Sequence, residues 1–238
     1  MKLIFIHIPK TAGTSLTEAI GSQIPKERIC PERLDHLNNW PVGELDRFTF
    51  FSGHFSRSAV ERIPGEKRIA TILREPASRL LSWYYFARSH TWFHIEQYAP
   101  ELRPAKQLGL FDFLKREGAK IPSMVSMIGA GHLDSATQAL HDMAAIGIAE
   151  RSDDSLFNIT WRFGLTPMRK MPKLNVTGDR VTDPAFENAP PKREPLTREL
   201  NNLLTELTYE DAKLYALAKN LFETQLEESR RANSEFPY

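Results

Sequence analysis

The sequence predicts an α/β protein with a central, mostly parallel β-sheet flanked by helices. Three observations carry that expectation. Apolar runs rich in β-branched residues alternate with helical patterns along the chain. The first run opens directly into a small-residue turn and a helix. A hydrophobic content of 41% over 238 residues is enough for one sizeable core, so a single domain over residues 1–238 is expected.

Each element has its own reason. Strands are expected at residues 3–8, 48–52, 68–73 and 145–149, where short apolar runs end at polar or small residues. Helices are expected at 14–22, 58–63 and 76–88. The last opens on Pro76, whose missing N–H costs nothing in a first turn. Residues 90–106 mix aromatics and prolines without a period, so 90–131 reads as a lid or acceptor-side insertion. Within it, 111–117 and 123–128 read as short helices, followed by 135–143 and then 153–163. Residues 166–195 hold many prolines and polar groups and predict a long irregular segment. A final helix is expected to begin at Thr208, with Asp211 closing a capping box. Leu214, Leu217, Ala218, Leu221 and Phe222 then form an apolar stripe at helical spacing.

Charge and cysteine content exclude several function classes. A net charge of +1 gives no bulk field for nucleic acid or an anionic membrane. The one cysteine, Cys30, allows neither an internal disulfide nor a cysteine zinc site, and is expected to be a buried packing residue. Only Met1 and Lys2 precede the first apolar run, which is about seven residues against the roughly 20 needed to span a bilayer. A cytoplasmic protein with no membrane span is the expectation, its oligomeric state being open. No His, Asp and Glu cluster has metal-ligand spacing, so no metal is expected.

Two motifs carry chemistry. Residues His7-Ile8-Pro9-Lys10-Thr11-Ala12-Gly13-Thr14-Ser15 join the first strand to the first helix. Unpaired N–H groups and the dipole at a helix start favour an anion, and Lys10 adds a full charge. Thr11, Thr14 and Ser15 offer hydroxyls. The order is not that of a Walker A loop, because Lys10 precedes Gly13 instead of following a glycine. The second motif is Leu73-Arg74-Glu75-Pro76-Ala77-Ser78-Arg79-Leu80-Leu81-Ser82-Trp83-Tyr84-Tyr85. Arg74 stands at the carboxyl edge of a strand, where open α/β folds bind ligands, and Ser82 lies on the helix that follows. Arg79 reads as a structural ion pair.

Together the motifs resemble the sulfotransferase superfamily that uses 3′-phosphoadenosine 5′-phosphosulfate. The likeness is greatest to the carbohydrate branch of the heparan sulfate 2-O type and its bacterial relatives. That resemblance implies a P-loop-like three-layer fold and transfer of a sulfuryl group to a hydroxyl of a glycan or other small molecule. It assigns the 5′-phosphosulfate to Lys10, Thr11, Ala12, Gly13, Thr14 and Ser15, and the 3′-phosphate to Arg74 and Ser82. More weakly, Gly53-His54-Phe55 resembles the segment carrying the catalytic base. Ile148-Ala149-Glu150-Arg151 is similar to a strand-Glu-Arg element, and residues 209–222 to a closing helix. Leu174-Asn175-Val176-Thr177 resembles a late nucleotide-contacting segment, which adds Asn175 and Thr177 to the donor site.

The chemistry needs a base, and His54 suits it because imidazole titrates near neutral pH. Glu75 ranks second, since a carboxylate at a helix start is explained by the dipole. Lys10 would stabilise the departing 3′-phosphoadenosine 5′-phosphate. His7 reads as packed near the sheet edge. Trp92, Phe93, Tyr98 and Tyr84 can stack on an acceptor, although core packing is the simpler reading for most aromatics. Two alternatives stand beside this reading. One is a nucleotide-dependent kinase with an atypical phosphate loop, which lacks Walker spacing and a magnesium carboxylate. The other is a non-catalytic nucleotide-binding protein, disfavoured because Lys10, His54, Arg74 and Ser82 are all present.

Overall fold

A computed structural model of the chain describes residues 1–172, 183–187 and 189–235. The sheet holds β1 (Lys2–Ile6), β2 (Phe50–Gly53), β3 (Lys67–Leu73) and β4 (Ala145–Ile148). Its order is β2-β1-β3-β4 and every pairing is parallel. The helices are α1 (Gly13–Gly21), α2 (Val42–Leu45), α3 (Arg57–Glu61), α4 (Pro76–Arg88), α5 (Trp92–Tyr98) and α6 (Arg103–Gln107). They continue with α7 (Leu110–Glu117), α8 (Met124–Gly129), α9 (Leu133–Asp142), α10 (Ser152–Arg162), α11 (Arg198–Leu207) and α12 (Tyr209–Glu235). The predicted α/β class with helix-flanked parallel strands is therefore what the chain adopts.

The chain divides into two compact units. The first comprises 1–75, 123–172 and 210–238, and contains the sheet. Both faces of that sheet are covered, which explains why its strands read as unbroken apolar runs. Leu3 and Phe5 of β1 join Leu16, Ala19 and Ile20 of α1 and Leu156 and Ile159 of α10 on one side. Ile4 and Ile6 join Val60, Met124, Leu140, Leu214, Ala218 and Phe222 on the other. The period-two alternation of β1 thus feeds two cores. Cys30 is fully buried in the second of them, as expected, and burial pushes its thiol pKa up.

The second unit comprises 76–122 and 173–209 and is helical among the described residues. Its core is Leu80, Tyr84, Tyr85, Phe113, Leu114, Leu200 and Leu204. The segment expected to lack periodic structure at 90–106 instead forms α5, a 3-10 turn at Pro100–Leu102, and α6. Local capping explains the difference: the Thr91 hydroxyl accepts from the His94 N–H, and prolines occupy first-turn positions where they cost nothing. Helix α11 was also not expected. Thr197 caps it through the Leu200 N–H. The described part of 166–195 carries one isolated bridge, between His90 and Phe186, and is otherwise irregular, as anticipated.

The residues of the expected capping box at Thr208 also make bonds beyond it. The Thr208 hydroxyl donates back to the Leu204 carbonyl. Asp211 is buried, and its carboxylate accepts from the N–H groups of Met124 and Val125 at 3.0 and 2.9 Å. It therefore caps α8, satisfying two amides that would otherwise be orphaned. Sequence spacing reveals a local cap but not one supplied from a distant helix.

Candidate functional site

The strand order fixes where a ligand can sit. Connections leave the carboxyl end of β1 toward β2 on one side, and β3 lies on the other, so a topological switch point falls between β1 and β3. The loops after these strands carry Lys10 and Arg74. Both are half-buried, and the Arg74 Nη1 donates to the Lys10 carbonyl at 3.1 Å. The two motifs picked out in the sequence thus meet at one sheet edge through their loops.

The loop after β1 has an unusual backbone. Lys10 and Ala12 adopt left-handed φ values of 70° and 67°. Each costs about 1–2 kcal/mol in a residue bearing a Cβ. Left-handed residues interspersed in a loop of this kind are the backbone pattern from which anion nests are built. Ala12 is the N-cap of α1 and makes no side-chain capping bond, and the first turn holds no acidic residue. A protein that needed only a stable helix would place Ser or Asp there. The Thr11 hydroxyl is not offered to a ligand: it is fully buried and donates to the Ile8 carbonyl at 2.8 Å. Thr11 can serve an anion only through its backbone. Ala12 and Thr14 are exposed at the loop's rim, while Ser15 is buried.

Gly13 is required by what lies beneath it. A Cβ at this position would stand 2.1 Å from Cδ2 and 2.5 Å from Nε2 of His7. The His7 ring therefore occupies the space a side chain would take. Gly53 is similarly forced, since its Cβ would meet the Arg33 carbonyl oxygen at 2.7 Å. That close approach lets the His54 N–H donate to the same carbonyl at 2.8 Å.

His54 and His7 are brought together by register. Ile6 pairs with Gly53 across β1 and β2, so the residues that follow are neighbours at the sheet edge. Their ring centroids are 4.7 Å apart. The His54 Nδ1 lies 2.5 Å from the His7 carbonyl oxygen. A carbonyl only accepts, so in the neutral ring Nδ1 carries the proton and Nε2 keeps the lone pair. That is the tautomer of a general base.

His7 itself is held neutral. Its pKa is pushed down to about 3, first by burial and then by the positive charge of His54, Lys10 and Arg33. This has a measurable consequence for stability. The unfolded chain binds the imidazole proton below the ordinary histidine value of 6.5, whereas the folded chain binds it only near 3. Between those values the unfolded state holds the extra proton, so stability falls as pH falls. From pH 7 to 5 the loss from this group is on the order of 2 kcal/mol. His7→Phe should remove that part of the slope, read from urea midpoints at both pH values. Parallel losses in both proteins would contradict it.

Further groups brace the site. Arg33 Nη1 donates to the carbonyls of Cys30 and Ser52, at 2.5 and 3.2 Å. Asp35 accepts from the Ser56 N–H and hydroxyl. Glu150 accepts from the Glu75 N–H at 3.0 Å and from the Tyr215 hydroxyl at 2.9 Å. It ties the turn after β3 to α12, and burial with the two carboxylates pushes the Tyr215 pKa well up. His7, Arg33 and Glu150 were not picked out as site residues. Register is the signal for His7. The other two act through backbone carbonyls and amides, which leave no side-chain pattern in a sequence.

No family model matches the sequence. The chain is similar to heparan sulfate 2-O-sulfotransferase 1 of Mus musculus, with 30% identity over 122 residues, or 44% of this chain and 33% of that protein. The Homo sapiens protein is 29% identical over 124 residues, covering 45% and 33%. The Gallus gallus protein is 30% identical over 122 residues, covering 44% and 33%. The chain's likeness is to the sulfotransferase branch. It spans about a third of the length of the curated relatives it matches.

On this sulfotransferase-like framework the remaining residues fall as follows. Ser82 lies half-buried on α4, in the second unit, whereas Arg74 belongs to the first. Asn175 and Thr177 lie outside the described residues. Arg79 is buried and its Nη2 donates to the Pro122 carbonyl at 2.9 Å. Tyr84 is a core residue whose hydroxyl lies within donating distance of both the Leu108 carbonyl and the Glu194 carboxylate. Trp92, Phe93 and Tyr98 are exposed rather than packed. Among the described residues, no group of His, Cys, Asp and Glu is placed to hold a metal, and no helix is long and apolar enough to cross a membrane.

Proposed function

We propose that this protein transfers a sulfuryl group from 3′-phosphoadenosine 5′-phosphosulfate to a hydroxyl of a glycan or related small molecule. The observation that carries the proposal is the pairing at one sheet edge of an uncapped anion loop with an imidazole whose Nε2 is free to accept a proton. The likeness to heparan sulfate 2-O-sulfotransferase 1 supports the same reaction class.

The donor supplies an activated sulfuryl group on a phosphate leaving group. The backbone amides from Lys10 to Ser15 bind the 5′ anion, and the Lys10 ammonium neutralises charge that grows on the departing phosphate. His54 Nε2 takes the proton of the acceptor hydroxyl as its oxygen bonds to sulfur and the sulfur–oxygen bond to the phosphate breaks. Arg74 holds the 3′-phosphate while also bracing the loop through the Lys10 carbonyl, and Ser82 is assigned to the same phosphate on sequence likeness alone. Asn175 and Thr177 are assigned to the nucleotide on sequence likeness alone.

Transfer of radiolabelled sulfate from the donor to a panel of glycans, lipids and phenols tests the reaction. Calorimetry with adenosine 3′,5′-bisphosphate and with magnesium ATP separates it from a kinase. Tight ATP binding without preference for a 3′-phosphate would refute the assignment.

Arg74 gives a finer test. Arg74→Ala should weaken adenosine 3′,5′-bisphosphate binding by about 1.5–3 kcal/mol, the size of a hydrogen bond to a charged group. Binding of adenosine 5′-monophosphate should change far less. Equal losses for both nucleotides would mean that Arg74 acts only by bracing the loop.

A further inference from the structure

Two imidazoles in contact at one sheet edge invite the question of what the second one does. His7 sits between three neighbours. Phe5 stacks against it with centroids 5.9 Å apart and planes 20° from parallel. Gly13 leaves the ring its space, since any Cβ there would overlap it. On another side lies the His54 ring, tilted 40° at 4.7 Å. The same residue's main-chain carbonyl receives the His54 Nδ1–H.

We propose that His7 is the positioning residue for His54. Its ring fixes the rotation of the His54 imidazole so that Nδ1 stays on the His7 carbonyl and Nε2 remains the accepting atom. The carbonyl alone would not do this, because an imidazole can turn over about its Cβ–Cγ bond and leave the bond unmade. A packed ring on one face closes that alternative. The partner must also leave the proton to His54. A second basic imidazole would compete for it, and a charged one would repel both His54 and Lys10. Burial keeps His7 neutral, so it packs like an aromatic ring and does not compete. Phe5 in turn is fully buried in the sheet's core, which anchors the stack.

The inference rests on His54 being the base, and its test separates the two. Histidine-selective nitrogen NMR reads the His54 tautomer with no reaction required. Wild type should show the Nδ1–H form. In His7→Ala, which removes the ring and keeps the carbonyl, the two His54 nitrogen shifts should move toward each other. Turnover should fall by about 10- to 100-fold, the usual cost of a misplaced catalytic group. Donor affinity should stay within about threefold. His7→Phe, which restores a ring, should recover the tautomer and most of the turnover. Unchanged His54 shifts in folded His7→Ala would overturn the proposal, and so would altered shifts with unchanged turnover, or a His7→Phe protein as impaired as His7→Ala. Should His7→Ala fail to fold, His7→Leu carries the same comparison. Full activity in His54→Ala would instead remove the base assignment, leaving the tautomer result to stand by itself.

Discussion

Replacing Lys10 by alanine is expected to lower turnover by about 10²–10³-fold, the loss seen when one charge-stabilising donor is removed from a transition state. The loop should survive the change. Its shape is held by the Thr11–Ile8 bond, by Arg74 on the Lys10 carbonyl and by the seat of Gly13 over His7, none of which uses the Lys10 side chain. Alanine also tolerates the left-handed backbone as lysine does. Adenosine 3′,5′-bisphosphate should therefore still bind, with the deficit concentrated in kcat of labelled sulfate transfer. Turnover near wild type would remove Lys10 from the mechanism. A collapse of product binding equal to the loss in rate would make it a ground-state contact only.

The second large effect belongs to His54. His54→Ala should reduce the chemical rate by about 10²–10⁴-fold, the usual contribution of a general base. Donor affinity should change little, because the contacts that hold His54 are to the His7 carbonyl and ring. Single-turnover measurement with saturating donor isolates this step. His54→Gln is a useful companion, since its amide can donate to the same carbonyl but cannot accept the proton. If the glutamine variant retained most of the rate, proton abstraction would lie elsewhere, with Glu75 the next group to test.

Much of this arrangement is visible in the primary structure because it is local. The four strands were expected within about two residues of their observed ends, since apolar β-branched runs bounded by small residues leave little choice. Pro76–Arg88 was read to the residue, as a proline start and an unbroken helical pattern define it. The anion loop was legible for the same reason: its glycine, its lysine and its helix are contiguous. What escaped was everything that depends on distant partners. Asp211 looked like a local cap, and nothing near it in sequence announced its bonds to Met124 and Val125. Thr11 looked like a ligand donor and instead closes its own turn on Ile8. Residues 90–106 looked irregular because their short helices are set by caps and prolines rather than by an apolar stripe. Glu150 gave no sign that it would hold the backbone of Glu75.

The overlap between Gly13 and the His7 ring makes two separate positions of the sequence into one steric variable. A side chain can enter at 13 only if the residue at 7 becomes small, and a bulky residue at 7 forbids anything but glycine at 13. Each change is harmful alone and tolerable with the other. The two sites therefore cannot drift independently, and any route by which this loop changes its chemistry must pass through a paired exchange rather than a single substitution.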